Sequence, residues 1–207
     1  MRNLATGCEF LLGVVFLAAA LSKSRNRYSF LEFVGSIKDL NIVPRSRARA
    51  MAMTALGIEF MVPVLLAFSF LPVGPLREEA PVLRAGALAL SLGLLLAFSS
   101  VIAHALKNGT QTPCKCFGGR GAVLGVRHIV RNLLLSTIAV VGMLGNLLAG
   151  ESGEAVFGKL LAAATGVVLA SFFVLFDDIV ELFIPTRSTG SPKGPRLPVP
   201  QIRDPRG

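Results

Sequence analysis

Apolar residues in this chain are gathered into five long blocks, separated by shorter polar or basic segments. A helix needs about 20 predominantly apolar residues to cross the roughly 30 Å hydrocarbon core of a bilayer. The blocks approach or exceed that length, so the pattern predicts an all-α integral membrane protein. The predicted spans cover residues 4–21, 51–71, 83–106, 133–149 and 156–176. Pro63 lies inside the second span, where a proline usually kinks the helix.

The composition agrees with this assignment. Apolar residues make up 53% of the chain and charged residues 16%, with a mean hydropathy of +0.66. Soluble domains average about 45–50% apolar and about 25% charged residues. A net charge of +9 would suggest nucleic-acid binding in a soluble protein. Here the basic residues lie between apolar blocks, which favours a lipid bilayer and argues against nucleic acid.

The distribution of lysine and arginine predicts the orientation. Seven of these residues fall in 23–50, five in 107–132 and five beyond residue 184, leaving four for the opposite side. Loops rich in lysine and arginine stay in the cytoplasm. The protein is therefore expected in the plasma membrane, with its N-terminus outside and its C-terminus in the cytoplasm. The predicted membrane domain is residues 1–184, and residues 185–207 form a basic, proline-rich tail expected to be disordered.

The long basic loop after the first span contains one helical pattern. Phe30, Phe33, Val34 and Ile37 recur with the spacing of a single helix face. Such a helix could lie in the membrane interface. It could equally pack under the bundle as part of the core, and the sequence leaves both alternatives open.

The segment between the third and fourth spans carries the most distinctive chemistry. Cys114 and Cys116 flank Lys115 in a polar, glycine-rich stretch. Cationic neighbours favour the reactive thiolate, and a disulfide in so small a ring should be strained and readily exchanged. This pattern favours redox chemistry. The alternatives are two inert thiols in a turn, or a zinc site completed by His104 and His128, although that spacing does not match common zinc patterns.

Several other polar residues lie within or beside the predicted spans. Glu59 is near the middle of the second span, where an ionisable group is by default a functional candidate. It could also serve as an interhelical hydrogen-bonding group, or pair with a basic residue such as Arg131. Glu9 is near the outer end of the first span and is expected to reach the interface. Cys8 should lie far from the cysteine pair, and Lys23 is interpreted as an anchor at the cytoplasmic face.

Four sequence elements occur in order: Leu21-Ser22-Lys23 ending the first span, Glu59 in the second, Cys114-Lys115-Cys116-Phe117-Gly118 after the third, and Arg131-Asn132 opening the fourth. In this arrangement the chain resembles the MauE family of methylamine-utilisation membrane proteins, within the wider DoxX-like four-helix group. The resemblance covers roughly residues 4–149, and the Cys-x-Cys-Phe-Gly element is its most specific part. The family commonly has glycine between the two cysteines, where this chain has Lys115.

The resemblance implies a role in maturing a disulfide-rich periplasmic client, the small subunit of methylamine dehydrogenase, together with a thioredoxin-like companion. Charge counting, however, places the cysteine pair at the cytoplasmic face, where thiols are kept reduced. Electrons drawn from a cytosolic thioredoxin-like donor and passed across the membrane would reconcile the two. A quinone is another conceivable acceptor, although no residue pattern specifies one.

The leading hypothesis is therefore a membrane protein that supports thiol–disulfide redox chemistry, with Cys114 and Cys116 as the reacting residues. Glu59, Lys115 and Arg131 are the predicted supporting residues, and no metal or other cofactor is evident. One rival is a non-enzymatic assembly factor that binds a maturing partner. A second rival is a small-solute transporter that uses Glu59 as a proton-coupled group.

Overall fold

The computed structural model describes residues 1–40, 43–70, 76–107, 126–148 and 156–183, and within these ranges the chain forms six α-helices and no strands. The helices are α1 (Arg2–Ser24), α2 (Arg27–Asp39), α3 (Ala48–Phe70), α4 (Leu76–Lys107), α5 (Val126–Leu148) and α6 (Val156–Phe183). All except α2 are long and apolar enough to cross a membrane. The prediction of an all-α, multi-pass membrane protein is confirmed.

The helices extend beyond the apolar blocks that revealed them. Helix α5 has 23 residues and begins at Val126, whereas the apolar block begins only at residue 133. Helix α4 likewise begins at Leu76 rather than at residue 83. Hydropathy detects only the part of a helix that suits the hydrocarbon core, while the backbone hydrogen bonds continue into the polar boundary. The fourth span, which the apolar block limited to 17 residues, is therefore long enough to cross a membrane.

Four of the helices form a bundle in which α1 packs against α3 and α5, and α4 packs against the same two helices. The largest buried apolar side chains fill the space between them. These include Leu12, Phe16, Val62, Leu88, Leu95 and Leu135. The prediction of a four-helix bundle with an added fifth span is confirmed. Among the described helices, α6 packs against α1 alone.

Small residues allow α6 to approach α1 closely. Gly158, Ala162 and Gly166 recur every four residues along one side of α6, and Gly166 meets the backbone of α1 at Gly7. Small side chains at this spacing commonly form tight helix contacts in membranes, because they let the backbones come together. The fifth span is thus held by backbone proximity to α1.

Asn26 caps the N-terminus of helix α2, and its side chain accepts a hydrogen bond from the Ser29 backbone N–H at 2.7 Å. Its buried face contains the residues that the sequence pattern identified, and that face packs against Ala48 and Ala52 of α3. The structure therefore supports packing under the bundle. Tyr28 and Leu31 lie on the exposed side of α2.

Candidate functional site

One end of the bundle is defined by contacts around α2. Leu40, which follows α2, lies in a small apolar cluster with Ile102 and Leu106 of α4 and Ile129 of α5. The end of α4 and the start of α5 therefore lie beside α2. We call this the α2 end of the bundle.

The segment that joins α4 to α5 at the α2 end contains the predicted cysteine pair. Cys114, Lys115 and Cys116 all fall within residues 108–125, outside the residues that the structure describes. The helix ends on either side are basic: Lys107 closes α4, and α5 has arginine at its second and sixth positions.

A charged pair is buried at the same end. Lys23, in the last turn of α1, donates a hydrogen bond to Oε1 of Glu59 in α3. Lys23 is 2% exposed and Glu59 is fully buried. The sequence suggested Arg131 as a partner for Glu59 and an interfacial anchoring role for Lys23. The structure instead pairs the two residues and withdraws Lys23 from the surface, so the anchoring interpretation is wrong.

Two aromatic rings complete the surroundings of the ammonium group. Lys23 Nζ lies 4.9 Å from the ring centroid of Phe33 in α2 and 5.6 Å from that of Phe98 in α4. The negative faces of aromatic rings attract a cation, most strongly where water is excluded. The Lys23–Glu59 pair therefore connects four helices, α1 to α4, at one point.

The backbone of α3 is also interrupted at Glu59. Pro63 follows four residues later and has no N–H, so the Glu59 carbonyl lacks its usual intrahelical donor. The second carboxylate oxygen, Oε2, is buried without a hydrogen-bond partner. Glu59 thus combines a buried charge with a break in the helical hydrogen bonding, which makes it a candidate functional residue.

Arg131 also lies buried in α5, at 4% exposure, next to the buried Asn132. The Ser136 hydroxyl donates to the Asn132 carbonyl oxygen at 2.8 Å. The sequence singled out the Arg131-Asn132 pair for its position at the start of the fourth span. The structure places it in the interior of the bundle, rather than at the anchoring surface expected of basic residues beside a span.

A second polar cluster lies at the opposite end. Glu9 of α1 is 1% exposed and accepts a hydrogen bond from the Asn146 side chain of α5 at 2.7 Å. Arg84 of α4 lies 3.9 Å from the other carboxylate oxygen of Glu9, and it donates to the Ser69 carbonyl oxygen at 3.4 Å. The expectation that Glu9 reaches the interface is wrong, because these partners compensate its charge inside the bundle.

The Glu9 cluster gives a test of interior packing. Replacing Asn146 by leucine should lower the free energy of unfolding by about 1–3 kcal/mol, because the carboxylate loses a donor. Replacing Asn146 by aspartate should be worse, since two acids would then meet. Thermal unfolding in detergent measures both. The exposed Leu147→Ala is the control, expected within about 0.5 kcal/mol of the parent. Equal stability of the leucine, aspartate and parent proteins would contradict the contact.

The remaining predicted groups are placed as follows. Cys8 is a free thiol, buried where α1 meets α5, and it lies near the Glu9 end of the bundle. Within the described ranges, no group of three or more histidine, cysteine or acidic side chains is arranged to hold a metal ion.

The chain matches a family of known proteins. A family model described as "Methylamine utilisation protein MauE" matches residues 1–145, which include α1 to α4 and most of α5. No curated protein and no solved structure matches. Helix α6 lies beyond the matched residues.

Proposed function

The chain belongs to the MauE family of methylamine utilisation proteins, and on that premise we propose that it supports the maturation of an exported, disulfide-containing client by thiol–disulfide exchange. Cys114 and Cys116 are the reacting residues. The observation that carries the proposal is a Cys-Lys-Cys sequence in the segment joining α4 to α5.

The exchange begins with a thiolate of a thioredoxin-like partner attacking the disulfide between Cys114 and Cys116. One sulfur of the pair leaves as a thiolate while a mixed disulfide forms. The partner's second thiol then resolves this intermediate, so the partner becomes a disulfide and Cys114 and Cys116 become thiols. Two electrons and two protons pass to the chain. A client dithiol in the partner's place would be oxidised by the same sequence, and the reverse sequence would reduce a client disulfide.

Positive charge near the thiols supports this chemistry, because cations stabilise thiolate over thiol. Lys115 separates the two cysteines, and the neighbouring ends of α4 and α5 contribute Lys107 and Arg127. The buried Arg131 lies one helical turn further into α5. We propose that Lys115 stabilises the thiolate form of Cys114 or Cys116. Glu59 and Arg131 are proposed to hold in place α4 and α5, the two helices that the segment joins.

The proposal also includes orientation. Basic residues gather at the α2 end, where Arg25, Arg27, Lys38, Arg45, Arg47 and Arg49 are exposed. The Glu9 end has far fewer, and lysine and arginine favour the cytoplasmic side. We therefore propose that the α2 end faces the cytoplasm and that the plasma membrane is the location. The cysteine pair would then exchange with its thioredoxin-like partner at that face, and the electrons would pass across the membrane to the exported client. The four-helix bundle is also consistent with placing the chain in the DoxX-like group.

The experiment compares Cys114→Ser/Cys116→Ser with Cys8→Ser in cells that produce a disulfide-containing client. Alkylation and gel shift measure the redox state of the client and of the chain's own thiols. We expect the double variant to abolish the client's correct disulfide state, because exchange needs both thiols. Cys8→Ser, the matched control, should leave it unchanged, because Cys8 is buried near the other end of the bundle.

Membrane-permeant and impermeant maleimides applied to intact cells test the orientation. Labelling of Cys114 and Cys116 by the permeant reagent alone is expected, with more labelling after reduction. Labelling by the impermeant reagent would overturn the orientation but leave the chemistry standing.

Unchanged client maturation in the double cysteine variant would overturn the redox proposal itself. That result would favour the non-enzymatic assembly factor, for which the exposed Tyr28 and Leu31 of α2 offer a contact surface.

A further inference from the structure

An elongated apolar groove of about 670 Å³ lies between α1, α5 and α6. Its floor is α1 near Gly7 and Leu11, and its walls include Ile138 of α5 and Leu169 of α6. The groove exists because α5 and α6 both pack against α1, whereas the described parts of these two helices do not pack against each other. Its walls belong to helices that are long and apolar enough to span a membrane.

The lining is apolar even where the sequence contains threonine. The hydroxyls of Thr137 and Thr165 donate to the carbonyl oxygens of Leu133 and Leu161, at 3.0 and 2.9 Å. Each donor is therefore satisfied within its own helix. Apart from the Asn3 amide at one end and the weakly polar Cys8 thiol, the lining offers little to a polar ligand, and contact with an apolar chain is the main source of binding energy.

The groove has the dimensions of a lipid chain. Its lining on α6 runs from Gly158 to Phe173, which is about 22 Å along the helix at about 1.5 Å per residue. One leaflet contributes about 15 Å of the hydrocarbon core. A complete acyl chain can therefore lie in the groove, in line with the lipids around it.

Charge is found where the groove begins. Lys159 is exposed in the first turn of α6, next to the lining residue Gly158, and Arg2 begins α1 next to the lining residue Asn3. Lys159 precedes Ala162 by three residues, so it lies on the side of α6 that faces α1. A cationic group at this level is well placed for the phosphate of a lipid whose chain lies below it.

We propose that this groove binds one phospholipid, with an acyl chain between α5 and α6 and its phosphate near Lys159. The site is independent of the thiol chemistry proposed above. It also assigns a role to α6, which lies outside the matched family region: together with α1 and α5, it forms a lipid site that the four-helix bundle alone would lack.

Photocrosslinking tests whether the groove binds the acyl chain of a lipid. The full-length protein is reconstituted into phosphatidylcholine vesicles containing phosphatidylglycerol with a photoactivatable group in its acyl chain, and mass spectrometry identifies the labelled residues. Labelling is expected at the groove lining. Thr165→Phe should reduce it several-fold, because the larger ring fills the groove.

Val168→Phe is the matched control, because Val168 is nearly isosteric with threonine, lies three residues away on α6 and faces lipid outside the groove. The opposite wall offers a second pair, Thr137→Phe and the control Val140→Phe, in case the first variant fails to fold. Labelling that falls equally in test and control variants, or that is uniform around the bundle, would overturn the proposal.

The contact between the lipid phosphate and Lys159 is tested with Lys159→Gln, which should weaken phospholipid labelling several-fold. Lys107→Gln, at the α2 end of the bundle, should not change it. A photoactivatable prenyl chain without phosphate should label the groove less strongly than the phospholipid. Equal labelling by the prenyl probe, with no effect of Lys159→Gln, would show a different occupant and contradict the phospholipid assignment.

Discussion

Replacing Glu59 by leucine is expected to destabilise the folded bundle by about 3–5 kcal/mol, because it leaves the Lys23 ammonium buried without its carboxylate. Lys23→Met should cost a similar amount, since Glu59 would then keep an uncompensated charge in the interior. Thermal unfolding in detergent, or unfolding by a denaturing detergent, measures both. The helix interior itself tolerates leucine and methionine well, so the loss reports on charge compensation rather than on helix propensity.

Combining the two substitutions should recover most of the stability. A buried ion pair replaced by apolar side chains of similar size is often neutral or even stabilising, because the cost of removing two charges from water disappears. The Lys23→Met/Glu59→Leu protein is therefore expected to be far more stable than the sum of the single changes implies. An additive double variant would contradict direct pairing of the two groups.

Exposed residues of the same type supply the controls. Lys38→Met in α2 and Glu79→Leu in α4 remove the same charges from the surface of the molecule. Each should change the free energy of unfolding by no more than about 0.5 kcal/mol. A loss as large as that of the buried pair at either position would mean that net charge, and not burial, governs stability.

The same variants separate a structural from a transport role for Glu59. A proton-coupled transporter would lose activity in the apolar double variant, even when that variant is stable and inserted in the membrane. An exchange protein that uses the pair to hold α1 to α4 together should keep its client's disulfides intact. Client redox state and the stability of the double variant therefore need to be measured in the same cells.

The span pattern was readable from sequence because each membrane helix carries its own hydrophobic signal. The five spans follow from the long apolar blocks, and the apolar face of α2 follows from local periodicity, although the sequence did not decide whether that face packs under the bundle. Glu59 was also identifiable, since an acid within an apolar block is unusual. Its partner was not, because Lys23 lies 36 residues away and looks like an ordinary basic residue after a span. The only available signal was the need of a buried acid for a cation, which several lysines and arginines could satisfy.

Contacts between distant helices were still less predictable. Glu9 and Asn146 are 137 residues apart, and each alone resembles a polar group near a helix end. The crossing of α1 and α6 did leave a signal, in the small residues Gly158, Ala162 and Gly166 at four-residue spacing. That pattern predicts a tight helix contact but does not name the partner, because many helices offer a small residue such as Gly7.

The α1–α6 contact gives the last prediction. A methyl group at Gly166 would lie 2.5 Å from the Gly7 carbonyl oxygen and 3.1 Å from Cβ of Phe10. Backbone cannot rearrange as a flexible side chain can, so Gly166→Ala should force the helices apart at a cost of about 1–3 kcal/mol. Since α6 packs against α1 alone among the described helices, the bundle of α1, α3, α4 and α5 should survive the change.

Cys8 reports on that separation, because it lines the groove between α1, α5 and α6. In a Cys114→Ser/Cys116→Ser background it is the remaining thiol of the chain, and Gly166→Ala should accelerate its alkylation by N-ethylmaleimide. Gly93→Ala is the control: beyond the neighbouring residues and backbone of its own helix, no atom of the described residues lies within 4 Å of a methyl group added there, and alanine favours the helix. Faster alkylation in both variants would indicate general loosening of the bundle, and unchanged alkylation in Gly166→Ala would contradict the close crossing of α1 and α6.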